Sequence, residues 1–403
     1  MPAGGQKTIP EPGNSMKLVD DITQRLPTHA NWRQDIHAHP ELAYNEHRTA
    51  ELVAKKLESF GIDVVRGLGK TGVVGTIKAG NSDRSIGLRA DMDALPLQEM
   101  NDFEHSSTHD GVMHACGHDG HTAMLLAAAE HLSANRDFDG IVHFIFQPAE
   151  EGEAGAKAMM DDGLFENFPM QSVYALHNWP GLAVGKMAMR KGAAMAAMDI
   201  FEVKIKGIGG HAALPHLAAD PILCGAQVVQ AWQGIVSRNV KAIDPAVLSV
   251  TQFHAGEAYN VIPEEVILRG TVRCFSHEVR ELIKTRMQEI SAGLCQANRC
   301  TYDWHYEHRF PPTVNSAEET DFAAAAAIAV CGEEAVNTNV EMVTGSEDFG
   351  YMLEEKPGCY AFIGNGPGDG GCLLHSPHFD FNDEIIPIGA SYWVRLVGDL
   401  LSP

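Results

Sequence analysis

Three histidines, one cysteine and one aspartate fall between His114 and Met124, in the segment VMHACGHDGHTAM. Cys116 and His118 stand one residue apart, in a glycine-containing loop ahead of a helix-like run. Thiolate and imidazole are strong ligands for zinc-like metals, and glycines let a backbone fold closely around an ion. The other reading is a buried cysteine and helix-start histidines, with Asp119 as the N-cap. The segment alone does not choose between them.

A second cluster shifts the balance. In IVHFIFQPAEEG a strongly apolar run stops at Pro148 and is followed by Glu150 and Glu151. Acids placed there sit at the rim of the core. Beside a metal, one carboxylate can ligate while the other activates a water molecule as general base. His177 in YALHNWP and His375 in CLLHSPHFDFND are further candidates, and His378, Asp380 and Asp383 could orient ligands from outside. Cys116, His118, Glu151, His177 and His375 make five possible ligands from four segments. Five exceed the needs of one tetrahedral site and suit two metals sharing a bridge.

These residues must be positioned by regular elements. ELVAKKLESFG and HTAMLLAAAEHLSAN read as helices. SIGLRADMD, GIVHFIFQ and SVYALHNWPG read as strands, running out at Asp91 and Asp93, at Glu150 and Glu151, and at His177. The alternation predicts an α/β fold with a largely parallel sheet, whose sites form beyond the strands' carboxyl ends. From Met198 the pattern changes to β-α-β-β-α-β, the ferredoxin-like order, through His308. After RFPPTVNS, the helix DFAAAAAIAVCG and the strand CYAFIGNG resume the first style. The expected organisation is a discontinuous α/β domain, residues 1–197 and 309–403, with an inserted α+β domain over 198–308 and a loose tail over 1–15.

The gross numbers bound the partners. A chain of 403 residues favours two domains. Asp and Glu (53) exceed Lys and Arg (30), which disfavours nucleic acid or an anionic membrane as partner. There is no apolar run of membrane-spanning length and no signal-like start. Eight scattered cysteines then point to free thiols in a reducing cytoplasm.

Nine motifs occur in order: DIHAHPELAYNE, LRADMDALP, MHACGHDGHTAM, QPAEEG, ALHNWPG, GGHAALPH, NVIPE, GSEDFGYM and LHSPHFDFND. Together they resemble the aminoacylase/hippurate-hydrolase metallo-amidohydrolases, a group with N-acyl-amino-acid hydrolases, carboxypeptidase-like enzymes and plant auxin-conjugate hydrolases. The resemblance covers nearly everything after Trp32. It implies a zinc-peptidase-like catalytic domain with an inserted lid and dimerisation domain. Two divalent ions are implied, with Cys116, His118, Glu151, His177 and His375 as ligands and Glu150 as general base. Zinc, manganese, cobalt or nickel would suit such mixed donors. Cys116 stands where other branches carry a bridging aspartate. Asp91 and Asp93 stand where others carry a ligand histidine and its orienting acid, and read here as outer support.

The resemblance also implies a homodimer in which His211 reaches the neighbouring active site and stabilises the transition-state oxygen. Asn260 is a second contact, and Arg269 or Arg273 could hold a substrate carboxylate. Ile208 departs from the lysine common at its position. The expected reaction is hydrolysis of an N-acyl or N-aroyl amino acid, a small-molecule substrate. The alternative is a dipeptidase or carboxypeptidase on the same scaffold. The Met- and Ala-rich stretch NWPGLAVGKMAMRKGAAMAAMD suits an apolar acyl pocket. A non-catalytic binding protein would have lost Glu150 or several ligands, and all are present.

Overall fold

A computed structural model describes residues 16–367 and 373–403. The expected loose tail and the thiol of Cys372 lie outside the described residues.

Four apolar segments form the centre of the fold. Ser85–Asp91, Gly140–Gln147, Ser172–Pro180 and Gly358–Gly366 are buried along almost their whole lengths. Near-continuous burial is what parallel strands covered on both faces require. In space they run Gly140–Gln147, Ser85–Asp91, Ser172–Pro180, Gly358–Gly366, and every neighbouring pair is parallel. Their carboxyl ends therefore emerge on one side.

The complete sheet has eight strands and is mixed. Asp63–Leu68 and Gly72–Ala79 form a hairpin that adds antiparallel to Gly140–Gln147. The expectation of a largely parallel sheet holds for the four central strands and fails at this edge, as it does at the other, where Met187–Ala188 runs antiparallel to Gly358–Gly366. At the hairpin the reason is connection length: three residues join it, whereas a parallel crossover needs about a dozen. At the far edge the two-residue strands Met187–Ala188 and Val336–Asn337 complete the sheet.

The helix His118–Ala134 is buried along most of its length, as its Ala- and Leu-rich run demands. It packs against Ile386–Leu400 and Leu26–Ala38 and sets its first residue, His118, at the strand ends.

A second, four-stranded sheet has the order Ala246–Ala255, Glu265–Cys274, Ala197–Lys206, Thr301–Phe310, all antiparallel. The helices Pro221–Arg238 and His277–Ala297 pack against it. They are capped by Asp220 and Ser276, whose side chains accept from backbone N–H groups of the first turn. The buried side chains here, including Phe201, Trp232, Leu268 and Met287, form a cluster separate from that of the large sheet. This is the β-α-β-β-α-β order read from the sequence. No helix among the described residues is long and apolar enough to cross a membrane.

Candidate metal centre

The site begins where Gly140–Gln147 stops. Pro148 cannot continue the ladder, and Ala149 turns the chain at φ 55°. Gly152 (φ 88°) and Ala154 (φ 55°) carry the turn onward. Gly155 then passes so close to Pro148 that a Cβ would collide with its carbonyl oxygen. A non-glycine residue held in this region costs about 1–3 kcal/mol, and such residues gather at functional sites. His375, at φ 61°, is another. Its N–H donates to Ala115 O at 2.7 Å, fastening the C-terminal loop to the cysteine segment.

The donor atoms of Cys116, His118 and His177 all lie within 4.8 Å of one another. The same holds for Cys116, Glu151 and His375, and for His118, Glu150 and Glu151. All five ligand candidates and Glu150 are thus drawn together by the fold. Cys116 Sγ is 3.4 Å from His177 Nε2, and His375 Nε2 is 3.1 Å from Glu151 Oε1. A cavity of about 300 Å³ opens here, walled on its apolar side by Trp179, Met195, Tyr360 and Leu374.

Outer contacts set which atoms face inward. His177 Nδ1 lies 2.7 Å from Asn178 O, which assigns its proton to that nitrogen and leaves Nε2 toward Cys116. His118 Nδ1 lies 2.9 Å from Asp93 O. Asp93 also accepts the Glu151 N–H at 2.9 Å, so one carboxylate orients two candidate ligands. Asp91 sits 2.6 Å from His121 Nδ1 and 3.7 Å from His118 Nε2. Asp91, His118 and His121 bring their donor atoms within 4.8 Å of one another, so Asp91 could itself contact an ion.

The electrostatics favour a cation. Burial pushes the Cys116 thiol well above its usual range, and the charges of Glu151, Glu150 and Asp91 push the same way. Burial, with Glu347, Glu151 and Asp348, raises the Glu150 carboxyl well above the carboxylate range. Burial opposes the His118 imidazolium, but Asp91 and Asp93 outweigh it and hold the ring up at about 10. His118 Nε2 is buried with no hydrogen-bond partner, and Glu151 Oε1, though 3.1 Å from His375 Nε2, makes no well-aligned hydrogen bond. Buried polar atoms without partners are costly unless something other than the protein's own groups satisfies them. Thiol, imidazole and carboxylate donors crowded among acids fit divalent metal ions.

Several residues at the site escaped the sequence reading. His121 bridges Asp91 and Asn178, with Nε2 2.7 Å from Asn178 Oδ1. It lies one helical turn from His118, a spacing that could have drawn attention to it. Arg89 is buried and donates to Asp91 (2.7 Å), Glu347 (2.8 Å), Asp348 (3.0 Å) and Gln147 (2.8 Å). Glu347 also accepts from Tyr360 OH at 2.7 Å. The signal for Arg89 was a charge inside an apolar strand. For Glu347 and Asp348 it was the acidic pair in GSEDFGYM.

Asp119, Asp380 and Asp383 are used otherwise than the sequence suggested. Asp119 is not the N-cap. Gly117 is, at φ 96° and without a side-chain cap, while Asp119 Oδ2 meets His37 Nδ1 at 2.9 Å. Asp380 and Asp383 do not orient ligands either: they accept from Arg33 at 3.0 and 2.8 Å. His378 is exposed. His211 and Asn260 lie together on the second sheet's side, where Asn260 O accepts the Ala212 N–H at 3.0 Å, and neither lines the cavity. Arg269 stands directly across from Glu202 in the strand register and pairs with it at 2.6 Å, also donating to Gln252. Its Nε and Nη1 are engaged on the sheet face, and it does not line the cavity. Arg273 is half-buried and donates to Val272 O.

A mixed α/β fold with such a donor set at the ends of parallel strands defines a metal-capable hydrolytic site. The chain belongs to peptidase family M20/M25/M40, whose model matches residues 87–399. It is 43% identical over 381 residues to the hippurate hydrolase of Campylobacter jejuni, covering 94% of this chain and 98% of that protein. It is 40% identical over 368 residues to IAA-amino acid hydrolase ILR1-like 4 of Arabidopsis thaliana, covering 89% and 82%. Among solved structures, a dinuclear metal-binding M20 peptidase of Bacillus subtilis superposes with a TM-score of 0.82 at 32% identity, covering 94% and 99%.

Proposed function

We propose that the protein hydrolyses the amide bond of N-acyl or N-aroyl amino acids in a metal-dependent reaction. The observation that carries this is the convergence of Cys116, Glu151, His177, His375 and a further acid, Glu150, on one partly apolar cavity, with the His118 donor atom within 4.8 Å of theirs in shared groups. It is an amide-bond hydrolase, as its hippurate-hydrolase and IAA-amino-acid-hydrolase relatives are.

Two divalent ions held by Cys116, His118, Glu151, His177 and His375, with zinc, manganese, cobalt and nickel all suited, would polarise the amide carbonyl and acidify a water molecule. Glu150 takes a proton as the water oxygen bonds to the carbonyl carbon. Glu150 then returns that proton to the leaving nitrogen as the C–N bond breaks. The products are a carboxylate and a free amino acid. Trp179, Met195 and Leu374 offer the acyl group an apolar wall. Asp91 and Asp93 hold His118 and the Glu151 backbone in place.

In this reading residues 198–308 form the inserted lid and dimerisation domain between 1–197 and 309–403. His211 and Asn260 act in the partner subunit's site of a homodimer, His211 stabilising the oxyanion. The support is surface chemistry. Leu214, Leu217, Tyr259 and Val261, neighbours of His211 and Asn260 in sequence or strand pairing, are large apolar side chains left exposed. Seven cysteines are unbridged among the described residues, which supports a reducing, cytoplasmic setting.

The test is to strip the protein with a chelator and restore divalent ions, following N-benzoyl amino acids, N-acetyl amino acids and free dipeptides. Ion-dependent recovery with the N-acyl substrates is expected. Full activity in metal-free protein would overturn the metal role, and dipeptides turned over in preference would move the reading to a dipeptidase.

A further inference from the structure

Glu46 is fully buried, yet no step of the reaction uses it. Its Oε1 accepts the backbone N–H of Tyr44 (3.0 Å) and of Ala149 (2.8 Å), and its Oε2 accepts the Thr71 hydroxyl (2.5 Å). One carboxylate therefore ties together three segments far apart in the chain. The backbone around each tie is unusual. Six described non-glycine residues have positive φ: Tyr44, Lys70, Ala149, Ala154, Arg299 and His375. Tyr44 and Ala149 donate to Glu46 themselves, and Lys70 precedes Thr71. The second atom group in this arrangement is Tyr44 OH, which donates to Glu153 O at 2.8 Å, at the far side of the same turn.

Ala149 is the residue before Glu150. Its left-handed conformation decides where the chain goes after Pro148, and so where Glu150 and Glu151 point. With no side chain able to hold that conformation, alanine depends on its surroundings, and Glu46 is the acceptor for its only donor. We infer that Glu46 is a positioning residue for Glu150: its carboxylate, reaching from the start of helix His47–Ser59, locks the Ala149 turn and thereby the proton shuttle. This rests on the role given to Glu150 above.

The chemistry of the three bonds separates geometry from charge. In Glu46→Gln, the amide oxygen can still accept both N–H groups, and the amide nitrogen can donate to the Thr71 hydroxyl oxygen, reversing that bond. In Glu46→Asp the charge stays, but the side chain is one methylene short and cannot reach all three donors. A positioning role predicts that the glutamine variant works and the aspartate variant does not. A role for the charge predicts the reverse.

The experiment measures kcat, KM and metal content on an N-benzoyl amino acid for Glu46→Gln, Glu46→Asp and Glu46→Ala. It also measures amide hydrogen exchange of the 148–156 segment by mass spectrometry. A displacement near 1 Å at a catalytic group costs roughly 100-fold in rate. The expected result for Glu46→Asp and Glu46→Ala is a kcat loss of about ten- to 100-fold, KM little changed, metal retained and the segment exchanging faster. Glu46→Gln should match wild type in both rate and exchange. Should Glu46→Ala fail to fold, the aspartate and glutamine pair still decides. Wild-type kcat and exchange in Glu46→Asp, or a defect in Glu46→Gln equal to that in Glu46→Asp, would overturn the inference. If the wild type turns over no N-acyl amino acid, the functional reading fails by itself, and the exchange pattern alone judges the clamp.

Discussion

Gly117 separates Cys116 from His118, and its replacement by alanine tests whether the site depends on that backbone. The residue has φ 96° and ψ 14°, where an L side chain is strained by about 1–3 kcal/mol. An added Cβ would press against the Asn178 side chain, 2.7 Å from its Cγ and closer still to Oδ1. Asn178 could yield only by leaving His121 Nε2, 2.7 Å away, and a buried polar group left unpaired costs about 1–3 kcal/mol. Gly117→Ala should therefore lose roughly 2–6 kcal/mol, a large part of the roughly 5–15 kcal/mol typical of a folded domain. Because the strain lies between two ligand candidates, metal affinity and kcat should fall with it. Urea unfolding, metal analysis and turnover on an N-benzoyl amino acid measure all three. Asn178→Ala in the same background removes the collision but not the φ strain. The double variant should then be at least about 1 kcal/mol more stable than the two single effects added, since contacting residues couple on that scale. A Gly117→Ala protein with wild-type stability, metal content and kcat would refute the reasoning.

Four further outcomes are expected. Glu150→Gln should keep its metal and lose about two to four orders of magnitude in kcat, as removal of a general base does; metal loss instead would exchange the roles of the two glutamates. A metal-bound thiolate is masked, so alkylation of Cys116 should be slow in loaded protein and faster after chelation, with peptide mapping as the readout; equal rates would remove Cys116 from the ligand set. His211→Ala and Glu150→Gln, each inactive alone, should recover activity on co-expression, since one site of the mixed dimer pairs an intact Glu150 with the partner's intact His211; mixed dimers without activity would place His211 outside the reaction. His143 is buried in the central sheet, and burial pulls its imidazole from 6.5 down to about 4, so the folded chain binds fewer protons than the unfolded one between those values. Its contribution is complete above pH 6.5 and is lost as pH falls toward 4, by about 1.4 kcal/mol per pH unit and roughly 3 kcal/mol in all; His143→Gln should flatten that part of the urea-midpoint profile, and an unchanged slope would contradict the assignment.

The sequence by itself determined the kinds of atoms at the site and the side of the sheet they occupy. Short apolar runs that stop at Asp91, Glu150 and His177, bounded by turn residues, read as buried strands whose ends reach the rim of the core, so their polar residues meet there. The change from continuous to alternating hydrophobicity at Met198 likewise marks a sheet covered on one face, which the strand Ala197–Lys206 is. Local pattern carries this because burial and periodicity are properties of neighbouring residues. Partnership between distant segments is not. Asp380 and Asp383 looked like support for His375 but are held by Arg33, some 350 positions away. Arg269 meets Glu202 only because strand register sets the two directly across from each other. The Arg89 network and the three-way grip of Glu46 join segments whose approach depends on sheet order, helix angle and a few left-handed residues. Hydrogen bonds are decided over a few tenths of an ångström, and only the packed chain sets distances on that scale.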